Sequence, residues 1–149
     1  RPGGEAVLER MSEMMFVDLI RLYLSTMPKT QTGWLAALKD RHLSRVLSLM
    51  HSQPAEAWTL EKLSSHAGLS RSALQERFVE LIGRPPMQYL RCWRMQVASN
   101  LLVESNAKLA TIAHKVGYES EEAFSRSFKR AVGQAPATWR RERSFHELR

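Results

Sequence analysis

The sequence predicts an all-α protein in which two helix-turn-helix subdomains are joined by a long linker helix and preceded by an N-terminal amphipathic helix. Apolar residues recur at spacings of three and four along nearly all of the 149 residues, whereas the apolar-polar alternation typical of strands is nearly absent. One pattern of apolar residues, glycines and prolines also occurs twice, about 50 residues apart, which indicates an internal repeat. We therefore expect helices and no strands.

The first predicted helix runs from about Glu5 to Met27, and Pro28 follows it. Its apolar residues cover more than one stripe of the helix surface, so the helix needs more than one partner surface. Three interpretations remain open: an ordinary core helix, a contact with an upstream domain, and a contact with a second copy of the chain. Because the sequence starts at Arg1 with no leader pattern, we expect it to be a fragment of a longer protein.

The second predicted helix spans about Trp34 to His51, after a polar connector at 29–33, and Pro54 lies just beyond its end. Its apolar residues at helical spacing are Leu35, Leu38, Val46 and Leu49. This helix opens the first predicted subdomain.

The internal repeat begins after this helix. The matching positions are Leu60, Leu63, Ala67, Gly68, Leu69, Leu74, Phe78, Gly83 and Pro86 in the first copy and Leu109, Ile112, Val116, Gly117, Tyr118, Phe124, Phe128, Gly133 and Pro136 in the second. The second copy has one added residue after its first glycine, which we place in the turn. Each copy predicts a short helix, a glycine-containing turn, a second helix with large anchors four residues apart, and a Gly-x-x-Pro exit.

Small residues occur where this motif requires them. Gly68 and Gly117 lie in the turns, where glycine adopts a positive φ without steric cost. Ser64 and Ala113 lie where the two helices of each copy cross, and a larger side chain would force those helices apart.

A helix over Met87–Val103 separates the two copies. At 1.5 Å per residue it would be roughly 25 Å long, enough to hold two small helical units apart. Two recognition helices enter successive major-groove segments on one face of a duplex when they lie about 34 Å apart. The linker therefore predicts a monomer that contacts two half-sites.

The charge balance suggests a polyanionic partner. The chain has 22 Lys and Arg against 15 Asp and Glu, a formal net charge of +7, and its last third is the most basic. An alternative function is a helical protein-interaction module whose basic face meets an acidic protein, and the wide apolar arc of the first helix favours that alternative.

Other function classes find little support. No apolar run approaches the roughly 18 residues of a membrane span. A single cysteine, Cys92, excludes an internal disulfide and fits a reducing compartment. No two histidines lie three or four residues apart, and the only aspartates are Asp18 and Asp40, so neither a helical metal site nor a hydrolase triad is indicated. We expect no enzyme activity, cofactor or metal.

The ordered motifs from about Arg41 to Arg141 resemble the AraC/XylS family of bacterial transcription regulators. The motifs are Gly68-Leu69-Ser70 with Leu74 and Phe78; Arg94-Met95, Ala98 and Leu101-Leu102; Ile112-Ala113; and Gly117-Tyr118 through Phe124-Ser125-Arg126-Ser127-Phe128-Lys129 to Gly133, Pro136 and Arg140. The resemblance implies a seven-helix domain that binds double-stranded DNA in the cytoplasm, activates or represses promoters, and has RNA polymerase as an expected partner.

The resemblance also implies a domain organisation. Residues 1–33 resemble the closing helices of a cupin-like sensor or dimerisation domain plus a connector, and 34–149 would form the DNA-binding domain. That domain would contain a first helix-turn-helix subdomain, the linker helix, a second helix-turn-helix subdomain and a C-terminal tail, at 34–86, 87–103, 104–141 and 142–149.

The resemblance assigns base-facing residues to the two recognition helices. On the first they are Ser72, Ala73, Gln75 and Glu76, and on the second Glu121, Glu122, Ser125 and Arg126. Gln can pair with adenine, Glu can accept from cytosine, and Arg can bind guanine or a phosphate. Two alternatives stay open: a glutamate turned aside to pair with a neighbouring arginine, and an exposed Gln75 without a base contact.

The expected phosphate contacts come from basic residues in and around the recognition helices. They are Arg71, Arg77, Arg84, Lys129, Arg130 and Arg140. Phosphate contacts would set affinity and register without reading sequence, and solvation of each basic group is the alternative. For Arg94 we expect a structural salt bridge rather than a DNA contact.

Overall fold

The structure, a computed structural model, describes residues 37–147, with side chains described as far as residue 144. The helices of this part are α1 Arg41–Ser52, α2 Leu60–Ala67, α3 Arg71–Ile82, α4 Pro86–Glu104, α5 Leu109–Lys115, α6 Glu121–Val132 and α7 Pro136–Glu147. The described part contains no strand, so the predicted all-α fold is confirmed there. The predicted helix at Glu5–Met27, its apolar face and the connector at 29–33 lie outside the described residues.

The helix predicted over 34–51 is interrupted at Asp40. Residues 37–39 are helical, but Asp40 is extended, with φ −72° and ψ 117°, and α1 begins only after it. The Asp40 carboxylate accepts the backbone N–H groups of His42 at 2.9 Å and Leu43 at 3.2 Å, so it caps a new helix. Leu38, expected on the apolar face of one continuous helix, is consequently 40% exposed.

The two helix-turn-helix copies have matching turns. Gly68 and Gly117 have φ values of +70° and +90°, as the glycine positions predicted. Ser70 then caps α3 and Ser120 caps α6, each accepting the backbone N–H three residues later at 3.1 Å. Glu119 is the added residue of the second turn, since it lies between the glycine and the capping serine there.

The anchors of the repeat fill two separate cores. Leu74 and Phe78 of α3 and Phe124 and Phe128 of α6 are all fully buried. Around the first pair lie Leu43, Val46, Leu47, Met50, Trp58, Leu63 and Leu90, and around the second pair Met95, Ala98, Leu102, Ile112, Ala113 and Val116.

Small side chains occur at both predicted helix crossings. Ser64 is 5% exposed and Ala113 is 1% exposed. The Ser64 hydroxyl donates to the carbonyl of Glu61 at 2.9 Å, so its polar atom is satisfied within its own helix and a serine can stand at this buried position.

The linker helix belongs to both cores. It spans 19 residues, one more at each end than predicted, and is about 28 Å long at 1.5 Å per residue. Leu90 near its start packs in the first core, while Met95, Ala98 and Leu102 pack in the second. Both recognition helices therefore pack in cores that contain residues of the linker helix.

The segment predicted as a C-terminal tail, 142–149, is helical as far as Glu147. Helix α7 continues from Pro136 through Glu147. No glycine or proline follows Pro136, so nothing in the sequence stops the helix at the predicted boundary.

Candidate nucleic-acid interface

The outer face of α3 carries the predicted residues of the first recognition helix. Arg71, Ser72, Gln75 and Glu76 are exposed, and Ala73 is half-buried. The cause is helical geometry: burial of Leu74 and Phe78 turns one face of α3 into the core and the other outward. The amide of Gln75 and the hydroxyl of Ser72 are thus free to present donors and acceptors to a ligand.

The outer face of α6 is organised in the same way. Glu121, Glu122 and Arg126 are exposed, and Ser125 is half-buried. Both glutamates lie in the first turn of the helix, where negative charge interacts favourably with the helix dipole. Their position has this structural explanation independently of any DNA contact.

Within residues 37–147, none of the three predicted base-facing glutamates is turned aside into an ion pair. The ion pairs between described residues are Lys62 with Glu56 at 3.4 Å and Arg77 with Asp40 at 3.0 Å. The exposed glutamates of both recognition helices therefore keep their carboxylates available for hydrogen-bond donors.

Five of the six predicted phosphate contacts are exposed. They are Arg71, Arg77, Arg84, Lys129 and Arg130. Two of them also have protein partners: Arg77 is bound to the Asp40 carboxylate, with 44% of its side chain still exposed, and Arg84 donates to the Cys92 sulfur at 3.0 Å. Lys129 and Arg130 lie in the last turn of α6, where positive charge suits the dipole.

Arg140, the sixth predicted phosphate contact, is placed differently. Its half-buried guanidinium donates to the backbone carbonyls of Leu102 at 2.9 Å, Ala107 at 2.8 Å and Ser105 at 3.3 Å. These carbonyls belong to the end of α4 and the connection to α5. Arg140 thus ties α7 to that connection, and this geometry takes it out of the phosphate set that we propose below.

Arg94 is structural, as predicted, but not through a salt bridge. Its guanidinium donates to the carbonyls of Pro54 at 2.8 Å and Glu56 at 2.9 Å, both in the connection between α1 and α2. Burial lowers the pKa of Arg94, and Tyr118 partly offsets that effect. The sequence held no signal for either carbonyl set, because in both cases the acceptors are backbone atoms more than 30 residues away along the chain.

The exposed faces of α3 and α6 belong to two subdomains whose cores both contain residues of the linker helix. The described residues contain no group of three or more His, Cys, Asp or Glu side chains that could hold a metal ion. Across 37–147, no helix has the length and apolarity needed to span a membrane.

Comparison with protein families identifies a helix-turn-helix domain at residues 63–142. A putative AraC-like transcription regulator of Streptomyces lividans is 42% identical over 142 residues, 95% of this chain and 47% of that protein. The transcriptional regulator AlkR of Acinetobacter baylyi is 32% identical over 95% of this chain and 46% of its own length. The chain thus spans about half the length of these curated relatives.

Solved structures with the same arrangement include DNA-binding domains. The DNA-binding domain of AdpA, a global transcriptional factor solved in complex with a target DNA, is 29% identical with a TM-score of 0.66, over 69% of this chain and 92% of that one. The C-terminal domain of AraT, a response regulator of Geobacillus stearothermophilus, is 27% identical with a TM-score of 0.67, over 68% of this chain and 85% of that one.

Proposed function

The chain belongs to the AraC family of helix-turn-helix DNA-binding proteins, and on that premise we propose that it is the DNA-binding part of a bacterial transcription regulator that places α3 and α6 in successive major-groove segments of an operator. The observation that carries the proposal is the equivalence of the two helices. Each begins at a serine cap and buries a pair of anchors four residues apart. Between the anchors, α3 exposes Gln75, Glu76 and Arg77, while α6 exposes Arg126 and leaves Ser125 half-buried.

We assign base contacts to the exposed polar residues of both helices and their immediate neighbours. They are Ser72, Ala73, Gln75, Glu76, Glu121, Glu122, Ser125 and Arg126. Phosphate contacts come from Arg71, Arg77, Arg84, Lys129 and Arg130. In this division, amide, hydroxyl and carboxylate groups and the Arg126 guanidinium read base edges, while the other arginines and Lys129 supply sequence-independent affinity.

The chain covers 47% of the Streptomyces lividans regulator, which leaves room for a further domain in the whole protein. The alignment with the Streptomyces lividans regulator covers 142 of 149 residues, so it extends into the part of the chain ahead of residue 37. We propose that residues 1–33 are the closing helices of a cupin-like sensor or dimerisation domain plus a connector, and that 34–149 is the DNA-binding domain. The first helix would contact the rest of the sensor domain or a second copy of the chain. We further expect RNA polymerase as a partner, promoter activation, a cytoplasmic location and no enzymatic activity.

Selection of bound duplexes from a random-sequence library tests the proposal. We expect enrichment of one site with two half-sites about one helical turn apart, and binding that survives excess random DNA. The logarithm of the affinity should fall linearly with the logarithm of the salt concentration. Recovery of no preferred sequence would overturn the proposal. High affinity for an acidic protein, without a preferred duplex, would support the alternative interaction module.

A further inference from the structure

Within the described residues, the two helix-turn-helix subdomains also approach each other at Arg94, on the side of the linker helix. Arg94 of α4 binds the carbonyls of Pro54 and Glu56, which precede the first helix-turn-helix. A Cβ placed on Gly117, in the turn of the second helix-turn-helix, would lie 3.0 Å from the Arg94 guanidinium carbon and 3.0 Å from the Pro54 carbonyl oxygen. The first connection, the linker helix and the second turn therefore converge on this arginine.

The acceptors on the first subdomain are held in place. The Trp58 indole N–H donates to the carbonyl of Gln53 at 2.8 Å, and its backbone N–H donates to the carbonyl of Glu56 at 2.7 Å. Trp58 is only 7% exposed and packs in the first core. Arg94 thus binds a segment that Trp58 attaches to the first core.

Gly117 differs from the comparable glycines in its surroundings. Gly83 and Gly133 have φ values of +90° and +93°, nearly the same as the +90° of Gly117, yet a Cβ on either would meet no atom within 4 Å. The conformation alone accounts for glycine at those two positions. At Gly117 the absence of a side chain also lets the second turn approach Arg94 and Pro54.

The linker helix packs in both cores. The relative motion of the two subdomains that such a connection resists least is rocking and bending of one subdomain against the other. A second point of attachment, away from the helix axis, opposes that motion. We propose that the Arg94 junction, formed by Arg94, the Pro54 and Glu56 carbonyls and Gly117, sets the angle between the two recognition helices and so determines which half-site spacing the protein accepts. This inference rests on the proposed function, and it makes Arg94 a positioning residue rather than a DNA contact.

Spacing preference is the first test. Affinity is measured for the selected operator and for versions with one base pair inserted or removed between half-sites, which turns one half-site by about 36° and shifts it by about 3.4 Å. We expect Arg94→Ala and Gly117→Ala to reduce the discrimination between these operators by about tenfold, because a pre-set angle is what penalises the wrong spacing.

The chain offers matched controls for both variants. Arg91→Ala removes one positive charge from an exposed position of the same helix, and Gly133→Ala introduces the same backbone strain into open space. Both controls should keep the wild-type spacing preference. If Arg94→Ala does not fold, Arg94→Lys replaces it, since a lysine lacks the planar fork that binds two carbonyls.

A second measurement separates failure of the junction from failure of the proposed function. Spin labels at exposed positions Glu80 and Ala131, with exposed Cys92 replaced by serine, report the distance between α3 and α6 without DNA. We expect a broader distance distribution in Arg94→Ala than in Arg91→Ala. An equally narrow distribution overturns the inference, and so does a broader one with an unchanged spacing preference. Absence of sequence-specific binding by the wild-type chain overturns the proposed function and the inference with it.

Discussion

Replacement of Arg140 by alanine separates a structural arginine from a phosphate-binding one. The wild-type guanidinium makes two hydrogen bonds of good length, to Leu102 at 2.9 Å and Ala107 at 2.8 Å, and a longer one to Ser105 at 3.3 Å. A hydrogen bond from a charged group contributes about 1.5–3 kcal/mol. Because these groups are half-buried, water would replace some of the broken hydrogen bonds, so we expect the free energy of unfolding to fall by about 2–4 kcal/mol.

Urea unfolding at several salt concentrations measures this decrease, and Arg141→Ala is the matched control. Arg141 is the exposed neighbour on the same helix. Its replacement should change the free energy of unfolding by less than about 0.5 kcal/mol. Arg140→Lys keeps the charge but not the fork, so we expect most of the destabilisation to persist in it.

DNA binding by the same variants tests the alternative assignment. If Arg140 bound a phosphate, its replacement by alanine would reduce the slope of log affinity against log salt by about one and leave the free energy of unfolding unchanged. We expect the opposite: a lower stability and, at temperatures where the variant is folded, an unchanged slope. A reduced slope with wild-type stability would refute the structural role of Arg140.

Three further outcomes are expected. Gln75→Ala should weaken the preference for the operator sequence within one half-site by about 1–3 kcal/mol, whereas Lys129→Ala should weaken binding to all sequences alike. Competition with random DNA measures both effects. If Gln75→Ala lowers the affinity for operator and random duplexes equally, Gln75 does not read a base. Ser120→Ala removes the cap of α6 and should lower the free energy of unfolding by about 1 kcal/mol, with Ser144→Ala, on an exposed face of α7, as the control. Burial lowers the pKa of His51 in the folded chain below its ordinary value of 6.5. At mildly acidic pH the unfolded chain therefore binds more protons than the folded chain. Stability should therefore fall as the pH is lowered through 6.5, and His51→Gln should flatten that slope in urea titrations; an unchanged slope would contradict this role.

Much of the fold could be predicted from local sequence patterns, because helix formation depends on residues a few positions apart. The spacing of Leu74 from Phe78, and of Phe124 from Phe128, was enough to identify the inner faces of both recognition helices. Gly117 followed from its place in the repeat, and its positive φ agrees with that prediction. The break at Asp40 could have been expected from its capping chemistry, but the apolar spacing on either side of it favoured one continuous helix.

The roles of the arginines did not follow from local patterns. Arg140 and Arg94 occur in basic or polar surroundings that are also typical of phosphate-binding or salt-bridged residues, and nothing nearby in the chain distinguishes them. What distinguishes them is the backbone carbonyls that folding brings within 3 Å of their guanidinium groups. Any residue carries such an acceptor, so the sequence contains no sign of it.

The sequence by itself determined the helices of both helix-turn-helix copies, the linker helix and the inner faces of α3 and α6, since each of these depends on neighbours within a few positions along the chain. Only the tertiary structure decided that the linker helix packs in both cores and that backbone carbonyls bind Arg140. The same is true of the approach of the Gly117 turn to Arg94 and Pro54. These features depend on which distant segments meet in space. Such long-range contacts are determined by how the whole chain packs and not by the sequence of any short segment.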